Sequence, residues 1–183
     1  MRNATGLRIL VLSPSLPHPA MWGFNIRVLQ ILRHLAARHS VSLLCYGSET
    51  ADQEAEARHA LAGLCDEVIT VPDLRRSRLH TRRLQAAAVM GRRSYHMHRF
   101  ESREMQARLS EVLTQGGYDV VQVESSALAG FDFGHVPVVL DEHNLEYELL
   151  QRANGIETSA VRRAFAAIEW RKVKWEEIDS WSK

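Results

Sequence analysis

The sequence predicts an α/β protein: a Rossmann-like, doubly wound parallel sheet with helices on both faces. Three observations predict it. Short apolar runs alternate along the chain with longer segments of helical spacing. The runs are continuously apolar rather than alternating, the pattern of strands buried on both faces. The helical segments between them supply the crossovers that parallel pairing requires. With 183 residues, 45% of them hydrophobic and 25% charged, the chain suffices for one domain with a real core. A single domain over residues 1–183 is expected.

Leu7 to Ser13 reads as a buried strand that stops at a Pro-rich loop, Pro14 to Pro19, where a helix cannot begin. Ile26, Leu29, Ile31, Leu32 and Leu35 then recur at helical spacing, with Asn25 placed to cap the helix. Val41 to Tyr46 is a second strand, Thr50 to Leu64 an Ala- and Glu-rich helix, and Glu67 to Val71 a third strand ended by Pro72. A long helical region from about Leu79 to Leu113 is interrupted near Gly91 and ended by Gly116-Gly117. Asp119 to Val123 and Val138 to Leu140 are the fourth and fifth strands. From Glu146 onward the chain is helix-forming, with a break expected at Asn154-Gly155.

Composition narrows the function. A net charge of +1 gives no global reason to expect a nucleic-acid partner. Ile9 to Leu12 is too short for an export or spanning segment, so a cytoplasmic location is expected. Cys45 and Cys65 form no C-x-x-C pair and read as reduced core thiols.

In open parallel sheets ligands bind outside the carboxyl ends of the strands, so the loops there carry the candidate residues. The first, Ser13 to Arg27, holds His18, Trp22, Gly23, Asn25 and Arg27. It has neither G-x-G-x-x-G nor a phosphate-loop Gly-Lys-Ser/Thr. Gly23, just before the helix, either lets a phosphate approach the helix N-terminus or merely eases a turn; Trp22 either meets ligand or covers core. The second loop begins Glu124-Ser125-Ser126. Glu124 either accepts sugar hydroxyls or orients a nearby base, or is a helix N-terminal charge. The third, Asp141-Glu142-His143-Asn144, sets polar residues directly after a strand. His143 is a candidate hydrogen-bond donor or base, and Asn144 a candidate substrate contact or helix cap.

These loops, with the strands before them, resemble the glycosyltransferase-4-like N-terminal domain of GT-B enzymes. The carriers are Arg8-Ile-Leu-Val-Leu-Ser-Pro14, Gly23 before Ile26-Arg27-Val28, Leu35-Ala-Ala-Arg-His-Ser-Val-Ser-Leu-Leu44, Tyr118-Asp-Val-Val-Gln-Val-Glu124 and Pro137-Val-Val-Leu-Asp-Glu-His-Asn-Leu-Glu-Tyr147. Ile168-Glu-Trp-Arg171 is similar to the family's helix leading toward a second domain. The resemblance implies one half of a GT-B fold: the acceptor-binding half of a retaining glycosyltransferase. The donor is a nucleotide sugar, and no metal or other cofactor is expected. It implies that His143 contacts the transferred sugar and that Glu124 fills an acidic catalytic position. Gly23 matches one glycine of a Gly-Gly pair close to the donor phosphates. Phe24 stands in place of the second glycine and would narrow the phosphate approach or alter donor choice. His18, Trp22, Arg27, Asp141 and Asn144 are the accompanying substrate-binding candidates. The family's donor-binding half, with its paired glutamates, has no counterpart in these residues, and the chain stops within a helix. Activity is therefore expected only with a C-terminal donor domain. The alternative is a binding or regulatory module that keeps the half-fold.

Between Leu74 and Arg103 there are nine arginines and one acid, Glu101. With Leu79, Leu84, Ala88 and Val89 they form a basic amphipathic stretch that suits a lipid-linked or polyphosphate acceptor and peripheral contact with an anionic membrane. A solvated helical face or an RNA contact are the other readings. Tyr95, His96 and His98 lack further ligands nearby, and no metal site is expected there.

Overall fold

A computed structural model describes residues 6–48, 50–72 and 78–182. The elements, in order, are β1 (Arg8–Ser13), α1 (Gly23–Ala36), β2 (Ser40–Tyr46), α2 (Ala51–Leu61), β3 (Glu67–Val71), α3 (Arg78–Met90), α4 (Tyr95–His98), α5 (Arg103–Gly116), β4 (Val120–Val123), β5 (Val138–Leu140), α6 (Glu146–Ile156) and α7 (Ala160–Trp181). They form two compact units. Residues 1–73 and 102–141 make the sheet unit, and residues 74–101 and 142–183 make a helical unit.

The sheet is five-stranded and entirely parallel, in the order β3-β2-β1-β4-β5. This is the predicted α/β, Rossmann-like sheet. Leu10, Val11 and Leu12 of β1 have no exposed surface. Side chains alternate across a strand, so neighbouring apolar residues serve opposite faces. Ile9, Val11, Val41, Leu43 and Cys45 pack on one face with Val28 and Leu32 of α1 and Ala57 and Leu61 of α2. Leu10, Leu12 and Leu44 therefore face the other side, where the crossover from β3 to β4 returns through α5 with Met105, Leu109 and Val112 buried. β5 departs from expectation. It is an edge strand of three residues with Val138 and Val139 exposed, because a paired strand lies on one side only.

The helix starts correct two readings. Asn25 does not cap α1, which begins at Gly23 with Trp22 in the cap position and no side-chain cap. Its amide instead donates to the carbonyls of Leu16 and Pro19, at 3.3 Å each, and ties the Pro-rich loop to the helix. Asn144 does not cap α6, whose cap position is Leu145. Asn154-Gly155 also stays within α6, and the break falls at residues 157–159.

In the helical unit, glutamates of α7 meet the amides at the starts of α6, which has no side-chain cap of its own, and of α4, which the Ser94 hydroxyl also caps. Glu177 accepts from the amides of Glu146 and Tyr147 at 2.9 and 3.1 Å, closing the start of α6. Glu169 accepts from Tyr95 and His96 at the start of α4, and Glu176 from Ser94. All three carboxylates are buried, and each meets amides that the helix ends leave unpaired. Burial pushes Glu177 from the ordinary 4.5 up to about 7, with Glu142 and Glu146 adding like charge.

Gly117 ends α5 in the left-handed region at φ 58°, where a Cβ would meet only the Arg8 guanidinium at 3.5 Å. Gly117→Ala should therefore lose about 1 kcal/mol through backbone conformation, measured by urea unfolding. Gly23→Ala should lose nothing, since its Cβ would meet nothing within 4 Å. For Glu177, a raised native pKa means that the folded unit binds the proton more tightly than the unfolded chain. Its contribution is full below about 4.5 and is lost as pH rises through about 7. Glu177→Gln should flatten that dependence, read from exchange of the α6 amides at a series of pH values. An unchanged profile would assign the dependence to another group.

Candidate functional site

Strand order reverses between β1 and β4: the chain winds outward through β2 and β3 on one side and through β4 and β5 on the other. The loops leaving β1 and β4 thus part in opposite directions and open a crevice at the carboxyl ends. The sheet unit brings there the β1–α1 loop, Glu124 after β4 and Asp141 after β5.

Glu124 is fully buried. Its backbone amide continues the ladder to Leu12, and its carboxylate accepts from the Gln122 amide at 2.8 Å. It is not a helix N-terminal charge: the next element is one 3₁₀ turn at Ser126–Leu128, whose cap is the Ser125 hydroxyl, accepting from Ala127 N at 3.2 Å. Oxygens of Glu124 and Asp141 lie within 4.8 Å of each other. Asp141 in turn pairs with Arg27 of α1 at 2.5 Å, the guanidinium being half exposed. The structure therefore joins three predicted residues, Arg27, Glu124 and Asp141, which are far apart in sequence. Two carboxyl groups beside one partly solvated guanidinium, itself engaged by Asp141, can accept hydrogen bonds from hydroxyls.

The remaining candidates of the first loop divide. Trp22 is 73% exposed, so it does not cover the core. Phe24 packs against the α1 face of the core. His18 Nε2 lies 3.7 Å from Glu56 of α2. Gly23 opens α1 with no side-chain cap, and neither its φ nor its neighbours demand glycine. His143 and Asn144 belong to the helical unit, His143 half-buried and Asn144 exposed just ahead of α6.

Two features were missed by sequence reasoning. Ser13, at the end of β1, is fully buried, and its hydroxyl donates to the Ser15 carbonyl at 2.8 Å. Ser125 has φ 144° and ψ 139°, a region nearly confined to glycine. Its position next to Glu124 could have been suspected only as part of a polar strand end, because nothing in a serine announces its backbone angles.

The basic segment is spread over both units. Arg75, Arg76 and the side chain of Arg78 lie outside the described residues. Arg82 and Arg83 are exposed on α3, Arg93 pairs with Glu101, and Arg99 stacks over Phe100 at 4.6 Å. Arg103 belongs to α5 of the sheet unit. His98 Nδ1 lies 2.9 Å from Glu101, whereas the buried Nε2 of His96 has no hydrogen-bond partner. Burial, with Arg99 nearby, lowers His96 to about 4 and keeps it neutral. Among the described residues no helix is long and apolar enough to cross a membrane.

Relief of the Ser125 backbone should be measurable. Ser125→Gly should raise unfolding free energy by about 1 kcal/mol or more, even after loss of the hydroxyl cap. A lower stability in urea would show that the residue is held without strain.

Comparison with known proteins gave no match to a family model, a curated protein or a solved structure.

Proposed function

We propose that this chain is the acceptor-binding half of a retaining, GT-B-type glycosyltransferase that uses a nucleotide-sugar donor. The observation that carries the reading is the meeting of Glu124, Asp141 and Arg27 at the switch point of a parallel sheet. The resemblance of the strand-end sequences points the same way.

In this reading Glu124 and Asp141 accept hydrogen bonds from acceptor hydroxyls, and the burial of Glu124 strengthens its interactions there. Arg27, oriented by Asp141, balances negative charge at the mouth. The uncapped start of α1 receives a donor phosphate over Gly23, where open space lets a ligand come close to backbone. Phe24, being packed inward, leaves that approach open rather than narrowing it. A second Rossmann-like domain would bind the nucleotide, and His143 would contact the transferred sugar.

Titration calorimetry with nucleotide diphosphates and sugar nucleotides, with and without a donor-side domain, tests the reading. Binding only when that domain is present supports it. Tight nucleotide binding by this chain alone would mean a donor half, and no binding with any donor domain would favour a non-catalytic module. In an active pair, His143→Ala should lower turnover about a hundredfold or more with the fold intact. Gly23→Ala should weaken donor binding without loss of stability.

A further inference from the structure

The outer face of α7 carries a second pattern, unrelated to the crevice. Val161, Ala164, Ile168, Arg171, Trp175 and Ile178 follow one another at alternating steps of three and four residues, and every one is exposed. Val161 is 81% and Trp175 64% exposed. The opposite face holds Val173 and the three capping glutamates, all buried. A helix on a protein surface ordinarily turns its polar face outward. α7 instead has an apolar seam on its outer side, at the spacing that lets one helix pack along another.

Charge around the seam is one-sided. Arg163, Arg171 and Lys174 are exposed in or beside it, Arg162 lies toward the opposite side and pairs with Glu157 at 3.3 Å, while Glu169, Glu176 and Glu177 are consumed as internal caps and Asp179 is half-buried. The acids that would balance this surface have been turned inward, so its rim is basic.

We propose that this seam is the docking face for an amphipathic helix of a partner protein, apolar along its centre and flanked by Asp and Glu. A second copy of the chain is a poorer occupant. Parallel pairing sets Arg171 against itself, antiparallel pairing about the same turn keeps the two guanidiniums within one turn, and both rims are basic. A bilayer is a poorer occupant too. The seam is narrow, with Arg163 and Lys174 along one side and Arg171 within it, whereas helices lying in a membrane surface present a broad apolar face.

The test uses two labelled synthetic helices with the same leucine seam, one flanked by glutamates and one by lysines, titrated into the full chain by fluorescence anisotropy. The acidic peptide should bind about tenfold or more tightly than the basic one, and Trp175→Ser or Ile168→Ser should weaken it by about the same factor. Arg171→Glu combined with Lys174→Glu should reverse the preference. This variant changes only exposed side chains, so it remains informative if the seam variants fold poorly. Equal binding of both peptides, no binding, or binding indifferent to the substitutions would overturn the proposal. So would a concentration-dependent dimer in light scattering, or sedimentation with phosphatidylglycerol vesicles, that Trp175→Ser abolishes. Neither glycosyl transfer nor nucleotide binding enters these readouts, so the proposal stands or falls apart from the crevice.

Discussion

A parallel strand in the middle of a sheet must satisfy its backbone on both edges and bury side chains on both faces, and β1 does both. It pairs with β2 on one side and β4 on the other, with Leu10, Val11 and Leu12 wholly inside. That requirement explains why the run Ile9 to Leu12 has no polar residue, and it also places the crevice. A central strand with neighbours wound in opposite directions leaves its carboxyl end uncovered. Two buried polar residues of the sheet unit lie at that end: Ser13 at the end of β1 and Glu124 directly after β4.

The helical unit rests on a different device. Neither α6 nor α7 has a side-chain cap of its own, and α4 has one turn. Glu169, Glu176 and Glu177 bring charge to the amides of α4 and α6 from a helix remote in sequence. A carboxylate at a helix start is favoured by the free N–H groups and the dipole. Burial opposes it, and for Glu169 and Glu177 burial is the larger influence on the proton, raising both pKa values. Removing three acids from the surface in this way is also what leaves the outside of α7 basic. The internal caps and the exposed rim are two consequences of one arrangement.

What could be read from the sequence follows from how local each feature is. Apolar runs marked all five strands within a residue or two, although burial on both faces accounts for an unbroken run only in β1, and β3, β4 and β5 keep exposed or half-buried positions. The end of α5 was legible at Gly117, where only backbone freedom matters. Caps were not. Asn25 and Asn144 have the right chemistry in the right place, yet Asn25 ties down a loop, and Glu177, 31 residues beyond Glu146, takes the work expected of Asn144. The site shows the same division. Glu124 and Asp141 stood out as polar strand ends, whereas their meeting, and the pairing of Asp141 with Arg27, depend on strand order. Exposure of β5 was also hidden, since an edge strand and a central one share the same valines.

The strongest signs of function in the sheet unit are places where the fold asks for one residue and the chain carries another. At Ser125 the backbone conformation calls for glycine and the chain has serine, a strain of about 1–3 kcal/mol held beside a buried carboxylate. At Gly23 the chain has glycine although neither conformation nor packing requires it, and a better helix former would fit. Neither choice is explained by stability, and the two lie on the loops after β4 and β1, either side of the switch point. A ligand approaching the backbone at Gly23, with a loop held rigidly against Glu124 opposite, would supply the missing reason for both.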